Sequence, residues 1–160
     1  MSRVIYTEPL SAEEFAPFGD ILDSDGAPDQ MINQGLCGRY HDRAKLEFTT
    51  GRAGINIFDA TPRALPYQLD MMERHPLGSQ AFIPMTDTPF LITAAKDNSG
   101  VPDQVRAFLS RPGQAINFHR NIWHGVLTPL HAPGLFAVID RIGEGNNLEE
   151  FTFDTPYNIQ

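Results

Sequence analysis

Residues 81–94, Ala81-Phe-Ile-Pro-Met-Thr-Asp-Thr-Pro-Phe-Leu-Ile-Thr-Ala94, hold two short apolar runs parted by Thr, Asp and Pro. Runs this short, rich in Phe and Ile and bounded by turn residues, suit strands better than helices. Working outward, the pattern repeats at Gly54–Asp59, Val105–Leu109, Ala115–His119 and Gly134–Asp140. Gly26–Asp29, Asp97–Pro102 and Gly143–Asn147 read as loops from their Gly, Pro, Asn and Asp content. The spacing predicts a mainly β chain folded as a sandwich or barrel. No internal repeat, low-complexity tract or linker interrupts it, so residues 1–160 read as one domain.

One short N-terminal helix has a mechanism. Ser11-Ala-Glu-Glu14 carries capping-box spacing, with Ser11 as cap and Glu14 able to reach back. Phe15 and Phe18 supply its apolar face, and Gly19 is placed to stop it. Its expected position is across one end of the sheet.

Composition narrows the function classes. Twelve Lys and Arg stand against twenty Asp and Glu, a formal charge of −8. That surface repels phosphate backbones and anionic lipid, so no nucleic acid or membrane partner is expected. Apolar residues make up 41% of the chain, yet no uninterrupted apolar run reaches membrane-spanning length. Cys37 is the only cysteine, which excludes an internal disulfide and a thiolate metal cluster. Met1-Ser-Arg-Val-Ile-Tyr6 lacks the apolar stretch of a signal peptide. These features lead to the expectation of a cytoplasmic protein.

The chemistry-bearing residues gather in two segments. The first is Glu73-Arg-His75-Pro-Leu-Gly-Ser-Gln80, and the second is Gly113-Gln-Ala-Ile-Asn117-Phe-His119-Arg-Asn-Ile-Trp-His124. Glu73 and His75 lie two apart, so on a strand both side chains take one face. His75 and His124 are a candidate proton-transfer pair, and Glu73 is a candidate base or histidine-orienting group. Gln80 and Asn117 offer hydrogen bonds only. His41 and His131 alone read as ordinary surface or packing residues.

The spacing of both segments resembles the two cupin motifs, with Glu73, Gln80, His119 and Asn121 replacing the usual His, Glu, Pro and Gly. The fuller strings Arg39-Tyr-His-Asp42, Glu73–Gly78, Gln80–Pro84, Asn117–His124 and Asp140-Arg141 resemble ureidoglycolate lyases. The match runs from about Asn33 to Gly143. It implies a cupin-like (RmlC-like jelly-roll) β-barrel, a homodimer, and cleavage of ureidoglycolate to glyoxylate and urea in allantoin and purine catabolism.

On that resemblance, Glu73, His75 and His124 are the expected catalytic groups. Arg39, Arg74, Gln80, Asn117, His119 and Arg141 are the expected substrate-binding groups. Metal-dependent cupins place ligands at the positions of Glu73, His75, Gln80 and His124. Two histidines and a carboxylate suit one divalent transition ion of the nickel, zinc or manganese class. Gln80, where a carboxylate is usual, weakens the set, so metal-assisted and metal-free acid–base elimination both stand. A ureidoglycolate amidohydrolase releasing ammonia and carbon dioxide, a non-catalytic small-acid-binding cupin, and a metal-dependent isomerase or dioxygenase are the rival readings.

Overall fold

The computed structural model describes residues 3–160. Met1 and Ser2, at the head of the segment read for a targeting signal, lie outside the described residues. The elements in order are β1 (Arg3–Ile5), β2 (Glu8–Pro9), α1 (Ala12–Phe15), β3 (Gly19–Leu22), β4 (Gln30–Ile32), β5 (Cys37–Arg39), β6 (Arg52–Asp59) and β7 (Tyr67–Arg74). They continue as β8 (Gln80–Pro84), β9 (Phe90–Asn98), β10 (Val101–Leu109), β11 (Ala115–Phe118), β12 (Trp123–His124), β13 (Thr128–Pro129), β14 (Leu135–Ile142) and β15 (Glu149–Ile159). The fold is mainly β and cupin-like, as expected. One sheet runs β1-β15-β7-β12-β9-β10-β2, with β13 also on β9, and a second runs β3-β11-β8-β14-β6.

The two sheets close over an aromatic core. Phe82, Ile116, Phe118, Phe136 and Val138 from the smaller sheet meet Phe90, Ile92, Ala94 and Phe108 from the larger. Burying each Phe contributes about 1.5–3 kcal/mol. On the other face of β9, Leu91 and Ala95 join Leu69, Met72, Trp123, Phe153 and Ile159 in a second cluster. β9 is thus buried on both faces, which accounts for its unbroken apolar run.

The helix forms where the capping signal placed it. The Ser11 side chain accepts from the Glu14 N–H at 3.3 Å, and Phe15 and Phe18 are buried. Glu14 does not complete the capping box; its carboxylate pairs with Arg106, as does Glu8. Gly19 serves a different purpose from a helix stop. It opens β3, where a Cβ would come within 1.9 Å of the Asn117 carbonyl oxygen.

One expected loop is corrected, and two strands are added. Asp97–Pro102 is mostly strand, because β9 and β10 extend through it to a two-residue turn at Ser99-Gly100. Both turn residues have positive φ, 53° and 86°, matching the twist of the flanking strands. Strands β7 and β15, unmarked in the sequence, form the other long pair. Tyr67, Leu69 and Met72 of β7 all enter the second cluster, so its side-chain phase changes between Leu69 and Met72. Pairing with β15 breaks register at the same place, between Thr152 and Tyr157. A regular strand would send Glu73 the way of Leu69; the bulge instead turns it to the opposite face from Met72.

Candidate active site

Strand pairing brings the site residues together. β12 lies between β7 and β9, with His124 opposite Glu73 across the β7 pair. His75 follows one residue after the end of β7. One ligand-capable atom from each of Glu73, His75 and His124 lies within 4.8 Å of the others. The His75 Nε2 and Glu73 Oε1 are 3.8 Å apart, and the two imidazole rings are 5.2 Å apart.

Each imidazole is fixed by its own backbone contact. His75 Nδ1 lies 2.8 Å from the Asn147 carbonyl oxygen, and His124 Nδ1 lies 2.9 Å from that of Gly125. A carbonyl only accepts, so both Nδ1 atoms carry the proton and both Nε2 atoms present lone pairs. Both Nε2 atoms are buried without a partner. His124 is further held by Phe118, stacked on it at 4.3 Å and 8°. Burial, reinforced by the neighbouring His75, pushes the His124 imidazole down to about 3, so it is neutral at physiological pH. Burial pushes the Glu73 carboxyl up, with His75 opposing and Glu150 adding to the rise.

Gln80 opens β8. Its Nε2 donates to Asp140 Oδ2 at 3.2 Å, while Asp140 Oδ1 accepts from Asn56 Nδ2 at 2.8 Å. The carboxylate can only accept, which fixes the amide and leaves Gln80 Oε1 buried and unpartnered. Gln80 and Glu73 both line a cavity of about 650 Å³, together with Thr61, Arg63 and an apolar wall that includes Phe58, Phe82 and Leu127. Two imidazole lone pairs and a carboxylate are a donor set that fits a divalent transition ion. A second opening, about 740 Å³ between Arg43, Tyr40 and Met85, holds no imidazole.

The other expected substrate-binding residues stand elsewhere. Arg74 takes the face opposite Glu73, paired with Asp97 at 2.8 Å and Glu149 at 2.6 Å and lying over the Trp123 ring. Asn117 is fully buried but alternates with Ile116 and Phe118, so it faces away from the core. Its amide donates to Asp20 Oδ2 and the Lys45 carbonyl, both at 3.1 Å. His119 Nε2 stands 3.0 Å from the same Asp20 oxygen. Arg141 ties down two loops, donating to Thr50 and to the Glu144 carbonyl. Arg39 is exposed on β5, in a two-stranded arm with β4. Arg63 was not singled out by the sequence reading, because no motif surrounds it.

Known proteins align over nearly the whole chain. A family model described as ureidoglycolate lyase matches residues 2–160. A ureidoglycolate lyase of Rhodobacter capsulatus is 58% identical over 154 residues, 96% of each chain. One from a Chelativorans species is 49% identical over 159 residues, covering 98% of this chain and 96% of its own. A protein of Rhizobium meliloti named ureidoglycolate lyase 2 is 50% identical over 155 residues, covering 95% and 94%. With matches of that identity and coverage beside the geometry above, the chain belongs to the ureidoglycolate lyase family.

Proposed function

We propose that this protein is a ureidoglycolate lyase, an enzyme that cleaves ureidoglycolate to glyoxylate and urea. One observation carries the reading: a carboxylate and two lone-pair imidazoles converge beside a cavity in a chain of this family. The reaction removes the hydroxyl proton as the C=O bond forms. The C–N bond breaks with its electron pair going to nitrogen, which takes a proton and leaves as urea.

Glu73 is the carboxylate among the residues lining the cavity, and it is the base for the hydroxyl proton. Returning that proton to the departing nitrogen leaves the enzyme unchanged. A carboxylate has two oxygens, so one can face the imidazole lone pairs while the other makes this transfer. Gln80 Oε1, aimed by Asp140, accepts from a substrate N–H or O–H. Positioning of this kind lowers the barrier because the reacting groups are already aligned.

Glu73, His75 and His124 are the residues that would hold a divalent transition ion of the nickel, zinc or manganese class, with Gln80 beside them. Such an ion, when bound, supplies Lewis acidity that makes the substrate hydroxyl easier to deprotonate. His124, kept neutral by burial, suits that lone-pair role better than donation of a proton. Arg39, Arg74, Asn117, His119 and Arg141 make structural contacts or stand apart, and substrate binding falls to the cavity residues.

The enzyme acts as one domain and pairs as a homodimer in this reading. The strongly exposed Ile55 and Ile57 on edge strand β6 support an apolar face for a second copy. A cytoplasmic place in allantoin and purine nitrogen catabolism accords with the substrate and with the free, exposed thiol of Cys37. No helix among the described residues is long and apolar enough to cross a membrane.

Product analysis tests the proposal. Purified protein is incubated with racemic ureidoglycolate, and urea, ammonia and glyoxylate are quantified against spontaneous breakdown. Equal urea and glyoxylate without ammonia, halting at half the substrate, is the expected result. Ammonia in place of urea would establish the amidohydrolase, and no turnover would leave a binding protein.

A further inference from the structure

We propose that Arg63 is the anchor for the substrate carboxylate, an assignment that rests on the lyase reading. Arg63 lies between β6 and β7, where its N–H donates to the Pro129 carbonyl at 2.9 Å and fixes the backbone. Its side chain lines the same cavity as Glu73 and Gln80, and it is the cation among the lining residues. Tyr67, the first residue of β7, holds the guanidinium: Arg63 Nη1 donates to the Tyr67 hydroxyl oxygen at 2.8 Å. The guanidinium carbon stands 5.4 Å from the centre of the Tyr67 ring. The strand that positions Arg63 at its start therefore carries Glu73 near its end.

The arginines proposed from sequence are committed or distant. Arg74 has two carboxylate partners, and Arg141 is spent on loop oxygens. Among the described residues Arg63 has no carboxylate within ion-pair distance, and Tyr67 occupies one of its five N–H donors. The remaining fork matches a carboxylate by two parallel hydrogen bonds. In a chain of net charge −8, an unpaired guanidinium facing a cavity that also holds Glu73 is the local feature that favours an anionic substrate. The chemistry selected is a small α-hydroxy or α-oxo acid held by its carboxylate, with the hydroxyl carbon left to Glu73.

Wild type, R63Q, R63K and Y67F are compared in two assays. Steady-state turnover of ureidoglycolate should show KM raised about 10- to 100-fold in R63Q, with kcat changed much less. R63K should recover part of the loss, since ammonium keeps the charge but not the fork, and Y67F should raise KM by a smaller factor. Calorimetric binding of glyoxylate supplies a readout independent of turnover and should be lost in R63Q. Glyoxylate affinity in R63Q within twofold of wild type, or no glyoxylate binding to wild type, would overturn the anchor whatever the turnover. Loss of glyoxylate binding in R63Q beside a wild type that makes no urea would overturn the lyase reading and leave the anchor standing.

Discussion

His75 and His124 offer the same nitrogen to the same space, their rings 5.2 Å apart and both Nδ1 protons spent on main-chain carbonyls. The pairing is built by two unrelated pieces of chain. Asn147 sits in the loop after β14 and also accepts the Leu77 N–H on its side chain at 2.7 Å. Gly125 directly follows β12. Lone pairs prepared in this way are costly to bury without a partner, which is why the site is read as one that grips something.

Replacing Glu73 by Gln keeps the shape and removes the base. We expect kcat to fall about 10²–10⁴-fold in E73Q. Because burial already works against the ionised carboxyl, the thermal midpoint should hold or rise. Steady-state kinetics beside a melting curve checks both, and near-wild-type turnover would remove Glu73 from proton transfer.

Asp140 acts through Gln80. In D140N the new amide cannot accept from both Asn56 and Gln80 with two oxygens, so a donor meets a donor and Gln80 is free to turn. A loss of about tenfold in kcat/KM with the fold intact is expected for a positioning group of this kind. Circular dichroism and kinetics on D140N and D140E measure it; D140E should recover part of the activity. Unchanged kinetics in D140N would make the Asp140 contact incidental.

Asp20 sets a pH dependence of stability away from the cavity. Burial pulls its carboxyl upward, but hydrogen bonds from the Lys45 N–H and Asn117 and the nearby His119 outweigh it, leaving the value below the usual 3.8. The unfolded chain then binds the proton more readily. Stability from Asp20 is present above the unfolded value and is lost as pH falls through the folded one. D20N should cost about 1–2 kcal/mol at pH 7, allowing for solvent screening. The gap between D20N and wild type should narrow toward pH 3 in urea unfolding; an equal gap at both pH values would contradict this.

Much of the fold was legible because local signals agreed with it. Ser11 and Phe15 marked the helix, and the apolar runs at Ala81, Phe90 and Ala115 became inner strands of both sheets. β7 was not legible, since Tyr67–Arg74 contains no β-branched residue and changes phase halfway. β15 hides behind the acidic residues Glu149, Glu150 and Asp154 and behind Pro156. At the site, motif spacing singled out Glu73, His75 and His124, which the structure brings within 4.8 Å of one another. It also singled out Gln80, which shares a cavity with Glu73. Alternation along a strand is a local rule, while the bulge in β7 sets which face Glu73 takes. Arg74 and Asn117 obey the same rule and therefore face the other way, Asn117 between inward-pointing Ile116 and Phe118. Arg63 reaches the cavity through the path of the chain between β6 and β7, which no short window of sequence records.

Metal content measured together with activity tests most directly whether the paired imidazoles form the reaction centre. The protein is stripped with chelator, assayed for urea release, then titrated with nickel, zinc or manganese while bound ion is quantified by elemental analysis. The expected result is activity that falls on stripping and returns in proportion to occupancy, saturating at about one ion per chain, with H124Q neither binding nor recovering. Full urea release from protein holding less than about a tenth of an ion per chain would contradict the metal-assisted account.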